Sequence, residues 1–345
     1  MNLIKPQKLQ PGDRVATISL SWGGAGDEDI RWRYEQGKKR LQEEFGLEIV
    51  EMPNTLKGTQ YIYQHPEKRA EDLMQAFADP AIKGIFSCIG GDESVRLLPY
   101  IDYEVIRNNS KVFIGYSDTT VTHFICRKAG LASFYGPAIL SDFAENVEMF
   151  DYTKHWLKKA LFETEAIGNI EASPIWTSHY LLWDEENKLI RRTTQTSSGY
   201  ELLQGKSKVQ GRLIGGCIEV LEMLKGTELW PKLEEWEDSI LFFETSEDMP
   251  EPRYFEYWLR NYGTQGILQR VNGIVFGKPY DDRYYEEYKE AIIKVVRAEL
   301  GLVDLPILYN MSFGHTAPIV TLPYGAMAEI DCDAVRFGVL ESGVV

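Results

Sequence analysis

A serine, a glutamate and a histidine each stand just past a short apolar run in this sequence. Ser117 follows residues 111–114 (KVFI) within GYSDTT, and Glu244 closes the run 240–243. His315 comes a few residues after 306–309, in the loop MSFGHTAP. Ligands of open α/β sheets bind beyond the carboxyl ends of the strands, which is where these three side chains would lie. Together they are the set needed for nucleophilic acyl transfer. The serine attacks, the histidine takes its proton, and the carboxylate orients the imidazole and supports its charge.

Each residue alone has a plainer explanation. GYSD is not the GxSxG elbow, and Ser117 or Asp118 could simply cap a helix starting at Thr119. Gly90-Gly91 would let a backbone approach a substrate, with the Gly91 and Asp118 amides aimed at an oxyanion, but a glycine pair also makes an ordinary turn. Glu244 continues an apolar strand, where a carboxylate is costly unless paired, and a histidine would pair it. Glu247 and Asp248 read as solvated. Of the other histidines, His65 and His155 lie in polar helical stretches, and His123 is roughly 9 Å further along the helix that Ser117 opens. His179 falls in a polar connector where it could line a pocket.

The elements needed to position such a set are present. Up to about residue 128, apolar runs at 14–20, 47–52, 84–89 and 111–114 alternate with helical patterns at 27–45, 67–77 and 119–128, and Gly46 is a stop signal. That alternation predicts a doubly wound, mostly parallel sheet. Residues 165–205 are polar and punctuated by Trp176 and Trp183, a connector that is partly β-hairpin. A second α/β set follows, with strands at 211–216, 239–243, 273–277 and 306–309 and helices at 217–224, 254–262 and 282–300. The tail, at 320–323, 326–330 and 334–339, alternates like antiparallel strands. The expected division is 1–164, 165–205 and 206–345, with the active site between two α/β domains.

Composition narrows the partners. With 345 residues the chain is long enough for two domains, and 37 Lys+Arg against 52 Asp+Glu leave a net charge of −15. So acidic a surface argues against nucleic acid and anionic membranes and leaves small molecules. No apolar stretch approaches a membrane span, and the first residues lack a signal-peptide core, so a cytoplasmic protein is expected. The four cysteines, Cys88, Cys126, Cys217 and Cys332, are far apart. No metal-ligand spacing, GxGxxG or Walker loop occurs, so neither metal nor cofactor is expected.

The blocks CIGGDESVRLLPYIDYEVI, VFIGYSDTT, GLASFYGPAI, GRLIGGCIEVL, SILFFET and GHTAPIVTLPYGAMAEID resemble the S66 serine peptidase family across nearly the whole chain. That family holds the LD-carboxypeptidases and the microcin C self-immunity (MccF-like) proteins, and the second branch is the better fit. The resemblance implies Ser117 as nucleophile, His315 as general base and Glu244 as third member. It also implies an oxyanion hole from the Gly91 and Asp118 amides, no metal, and a homodimer. In the MccF-like branch a connector tryptophan stacks on a nucleobase, and Trp183 in LLWDEENK matches it. One departure is Gly215-Gly216-Cys217-Ile218-Glu219, where relatives usually carry asparagines after the glycines. Glu219 would bring an anion to the substrate and favour an amine or ribose hydroxyls.

The expected function is hydrolysis of acyl-sulfamoyl or acyl-phosphoramidate adenylates through an acyl-enzyme. The alternatives are an LD-carboxypeptidase releasing D-alanine from murein tetrapeptide, and a non-catalytic ligand binder.

Overall fold

The computed structural model describes residues 3–345. Five of the six strands of the first sheet come from short early runs: β1 (Arg14–Ile18), β2 (Glu48–Glu51), β3 (Ile82–Ser87), β4 (Val112–Gly115) and β5 (Phe134–Tyr135). They are parallel, in the order β5-β4-β3-β1-β2. β4 is buried at every residue, with no alternation, as befits a strand covered on both faces. The helix Arg31–Phe45 ends at Gly46, whose left-handed conformation (φ +71°) turns its amide back onto Gln42 and Leu41.

The connector supplies β6 (Gly168–Ile170), the hairpin pair β7 (Ile175–Trp176) and β8 (Gln195–Thr196), and β9 (Glu201–Gln204). Beyond it come β10 (Lys208–Cys217), β11 (Ser239–Glu244), β12 (Gly273–Gly277), β13 (Ile307–Met311), β14 (Leu322–Pro323), β15 (Met327–Asp331) and β16 (Arg336–Val339). The second sheet runs β6-β16-β15-β10-β11-β12-β13-β9, parallel through β10–β13 and antiparallel at both flanks. A mostly parallel first sheet and a mixed second one are the expected class. The helix Thr120–Ala129 packs against both β10 and the helix Ile218–Leu224, which is why nearly all of its residues are buried.

Three elements depart from the sequence reading. The stretch 320–323 does not join the antiparallel tail, because β14 pairs with β5 through Leu322–Tyr135 and Pro323–Phe134. The neighbouring Tyr324 stacks on His123 and donates to the Gly215 carbonyl, fixing this return to the first sheet. β6 and β9 also cross the division at residues 164 and 205, since both are edge strands of the second sheet. Finally, the helix read from 282 begins at Tyr285, because Asp281, Asp282 and Tyr284 all have positive φ.

Candidate active site

Ser117 sits two residues beyond the end of β4, between that strand and the Thr120–Ala129 helix. Its φ is +62°, a conformation that costs a non-glycine residue about 1–3 kcal/mol and is typical of a nucleophile held outward on a tight turn. Gly90 packs against it so closely that a Cβ there would lie 2.8 Å from Ser117 Oγ. The helix-cap explanation does not hold, since neither Ser117 nor Asp118 caps this helix with its side chain. The Asp118 carboxylate instead accepts from the amides of Glu93 (3.0 Å) and Ser94 (2.8 Å), pinning the segment that follows Gly91.

His315 lies in the loop after β13 and spans the gap between the two sheets. Its Nε2 is 3.0 Å from Ser117 Oγ, and its Nδ1 is 2.6 Å from Glu244 Oε2. Glu244 ends β11 and is buried. Its second oxygen accepts from the Tyr135 hydroxyl, which in turn accepts from the Ser117 amide at 3.2 Å. Gly314 permits the close pass of the histidine loop, because a Cβ there would meet Glu244 Oε2 at 2.7 Å. Burial disfavours a charged His315 ring, but Glu244, with smaller contributions from Glu247 and Glu219, outweighs it and raises the imidazole to about 9.

The row borders a cleft of about 380 Å³ whose lining includes Gly90, Gly91, Ser117, His315, Trp183 and Arg192. The Trp183 ring is held by Arg33, whose guanidinium lies 4.6 Å from the ring centroid, and by Trp22 at 6.0 Å. Trp32 Nε1 donates to the Trp183 carbonyl at 2.9 Å. A larger groove of about 920 Å³ lies beyond the Glu145–Arg192 ion pair, but neither Ser117 nor His315 borders it. Among the described residues, no three His, Cys, Asp or Glu side chains converge as a metal site.

The other singled-out residues fall in several places. His179 lines the cleft and accepts from the Thr193 amide. His123 is buried, bonded to Ser133 Oγ and the Gly115 carbonyl, and lowered to about 3 by burial. His65 pairs with Glu67, and His155 borders the larger groove. Glu219, expected at the substrate, is not among the cleft-lining residues. Its carboxylate accepts from Ser246 N and Oγ, both at 2.8 Å, because the helix it opens lies behind the loop after β11. Glu247 is exposed as expected, and its Oε2 also lies 3.1 Å from His315 Nε2. Tyr135 lies in the motif FYGPA, where nothing local marks its hydroxyl as a partner of Glu244. Nothing in the sequence pointed to Arg33, which is far from Trp183 in the chain.

A serine on a strained elbow, facing a histidine–glutamate pair from a second α/β half, is the architecture of a serine hydrolase. The LD-carboxypeptidase N-terminal and C-terminal domain models match residues 15–136 and 210–330. The chain belongs to the S66 peptidase family. It is 31% identical over 337 residues to the microcin C7 self-immunity protein MccF of Escherichia coli, covering 96% of this chain and 94% of that one. An MccF-like protein from Streptococcus pneumoniae, solved in complex with AMP, superposes with a TM-score of 0.88 at 34% identity, covering 95% of this chain and 98% of that one. MccF in complex with aspartyl sulfamoyl adenosine superposes with a TM-score of 0.84 at 28% identity, covering 99% and 100%. Among the described residues, no helix is long and apolar enough to cross a membrane.

Proposed function

We propose that this enzyme hydrolyses the bond between an aminoacyl or peptidyl carbonyl and the nitrogen of a sulfamoyl or phosphoramidate nucleotide, with Ser117, His315 and Glu244 as its catalytic triad. The observation that carries the reading is the unbroken row from Ser117 Oγ through His315 to Glu244 at a cleft walled by Trp183.

Ser117 Oγ attacks the carbonyl carbon as His315 Nε2 takes its proton, and Glu244 supports the imidazolium. The Gly91 and Asp118 amides stabilise the oxyanion. The tetrahedral species collapses, the C–N bond breaks, and the leaving nitrogen takes the proton from Nε2. Water, deprotonated by Nε2, then attacks the acyl-serine; the C–Oγ bond breaks, Nε2 returns the proton to Ser117 Oγ, and a free carboxylic acid leaves. Trp183 offers its face to the nucleobase, an interaction tolerant of base identity. Similar proteins bound to AMP and to an aminoacyl sulfamoyl adenosine support this substrate class. The expectation of a cytoplasmic homodimer stays with this reading, and sedimentation tests its second half.

A second reading, removal of D-alanine from murein tetrapeptide, is favoured by Arg192 at the cleft, whose Nε and Nη2 pair with Glu145 while Nη1 is left for a terminal carboxylate. One assay separates the two. Wild type and Ser117→Ala meet an aminoacyl-sulfamoyl adenosine and an L,D-tetrapeptide, with products read by mass spectrometry. Release of sulfamoyl adenosine by wild type alone supports the first reading. Release of D-alanine instead supports the second. Turnover that survives Ser117→Ala overturns the triad. Binding without turnover leaves a ligand binder.

A further inference from the structure

Two carboxylates lie against His315, and the catalytic row uses one of them. Glu244 engages Nδ1 at 2.6 Å from the end of β11. Glu247, in the loop after β11, places Oε2 3.1 Å from Nε2, the nitrogen that must accept the Ser117 proton. Glu219, on the helix after β10, adds a more remote negative charge while its carboxylate is held by Ser246, and Tyr116 meets the ring edge-on at 5.1 Å from the elbow. Among the described residues, no lysine or arginine is paired with Glu247. The cations of the cleft are engaged elsewhere, Arg192 with Glu145 and Arg33 with Leu140 O and Asn146 Oδ1.

A carboxylate 3.1 Å from Nε2 favours the protonated ring, which has no lone pair for the serine proton. Glu247 is free to leave: its side chain is 60% exposed, whereas the neighbouring Ser246 is fixed to Glu219 through both N and Oγ. The loop is therefore anchored while its acid can swing. An aminoacyl substrate carries its ammonium two bonds from the carbonyl that Ser117 attacks, within reach of a carboxylate that touches Nε2.

We propose that Glu247 brakes the general base in the free enzyme and selects substrates whose acyl group carries a free α-ammonium, which draws the carboxylate off Nε2. This rests on the triad reading above. An N-acylated substrate leaves the brake on, whereas a free-amine substrate releases it.

The test compares wild type with Glu247→Gln on an aminoacyl-sulfamoyl adenosine and its N-acetyl counterpart across pH 6–10, alongside NMR titration of the His315 ring in both proteins. Glu247→Gln should lower the His315 pKa by about one unit, which is about tenfold more neutral ring at pH 7. It should raise kcat/KM for the N-acetyl substrate at that pH by a similar factor and shrink the preference for the free amine. An unmoved His315 titration overturns the brake whether or not either substrate is cleaved. A shifted titration with an unchanged free-amine preference overturns the selectivity. Absence of turnover on both substrates, with the titration shifted, keeps the brake and counts against the substrate reading instead.

Discussion

Tyr135 hydrogen-bonds the carboxylate oxygen of Glu244 that His315 leaves free. Because the same hydroxyl accepts from the Ser117 amide, one side chain ties the elbow in the first sheet to the acid in the second. The acid is buried, so losing this donor leaves an anionic oxygen without a partner. Tyr135→Phe should cost about 1.5–3 kcal/mol in transition-state stabilisation, roughly a tenfold to hundredfold fall in kcat/KM. Steady-state kinetics with unchanged circular dichroism would show it. Wild-type rates in the variant would mean that Glu244 is held well enough by the rest of its site.

Gly90 and Asp118 fix the nucleophile from two sides. A Cβ at Gly90 would lie 2.7 Å from Ser117 Cβ, so Gly90→Ala must push the serine off its place beside His315. About a hundredfold loss of kcat is expected, since small misplacements near the reacting atoms carry such penalties. Thermal melting should change far less than activity. Asp118→Ala removes Oδ2, the one acceptor shared by the amides of Glu93 and Ser94, and should lower stability by about 1–3 kcal/mol along with activity. Denaturant melts and kcat on the same preparations distinguish the two variants, and a Gly90→Ala enzyme with full kcat would contradict this geometry.

What could be read beforehand followed the distance over which each signal acts. The β4 strand, the elbow and the end of β11 are local patterns of burial and turn chemistry, and their residues stand where the sequence put them. The pairing of β14 with β5 joins residues nearly two hundred positions apart, and no periodicity in either segment encodes it. Glu219 and Glu247 illustrate the same limit at the site. Residue type marked both as acids near a strand end, but whether each faces the imidazole, a serine or water depends on how the loop after β11 is anchored. The Asp118 carboxylate reaches the amides of another strand–helix turn, a contact that its position beside Ser117 does not encode.

Trp183 is presented to the cleft by a clamp as well as by its own loop. Arg33 covers the ring and Trp32 holds the carbonyl, so the connector is tied to the helix Arg31–Phe45. Trp183→Ala should raise KM for an acyl-sulfamoyl nucleoside about tenfold, the range of one base–aromatic stack, with kcat much less affected. Arg33→Met keeps much of the bulk but loses the cation and its bond to Leu140 O, and should raise KM in the same direction by less. A substrate without a nucleobase should be indifferent to Trp183→Ala. If both substrates lose equally, the tryptophan is holding the loop and not the base.

The raised imidazole also makes a statement about folding. His315 is held at about 9 in the folded protein against an ordinary value near 6.5, with the glutamates overcoming the burial that would lower it. A group whose folded value is raised contributes stability that is fully present below its unfolded value and is lost as pH rises through the folded one. The window is therefore pH 6.5 to about 9. Other groups titrate nearby, among them Lys111, lowered to about 8 by burial, so the useful quantity is a difference. Tm measured from pH 6 to 10 for wild type and for His315→Asn should converge or cross as the window is traversed, the wild type losing relative stability toward the alkaline side. Parallel curves across the window would show that Glu244 does not hold an imidazolium in the resting enzyme, and the acid limb of kcat/KM should then fall near the ordinary histidine value.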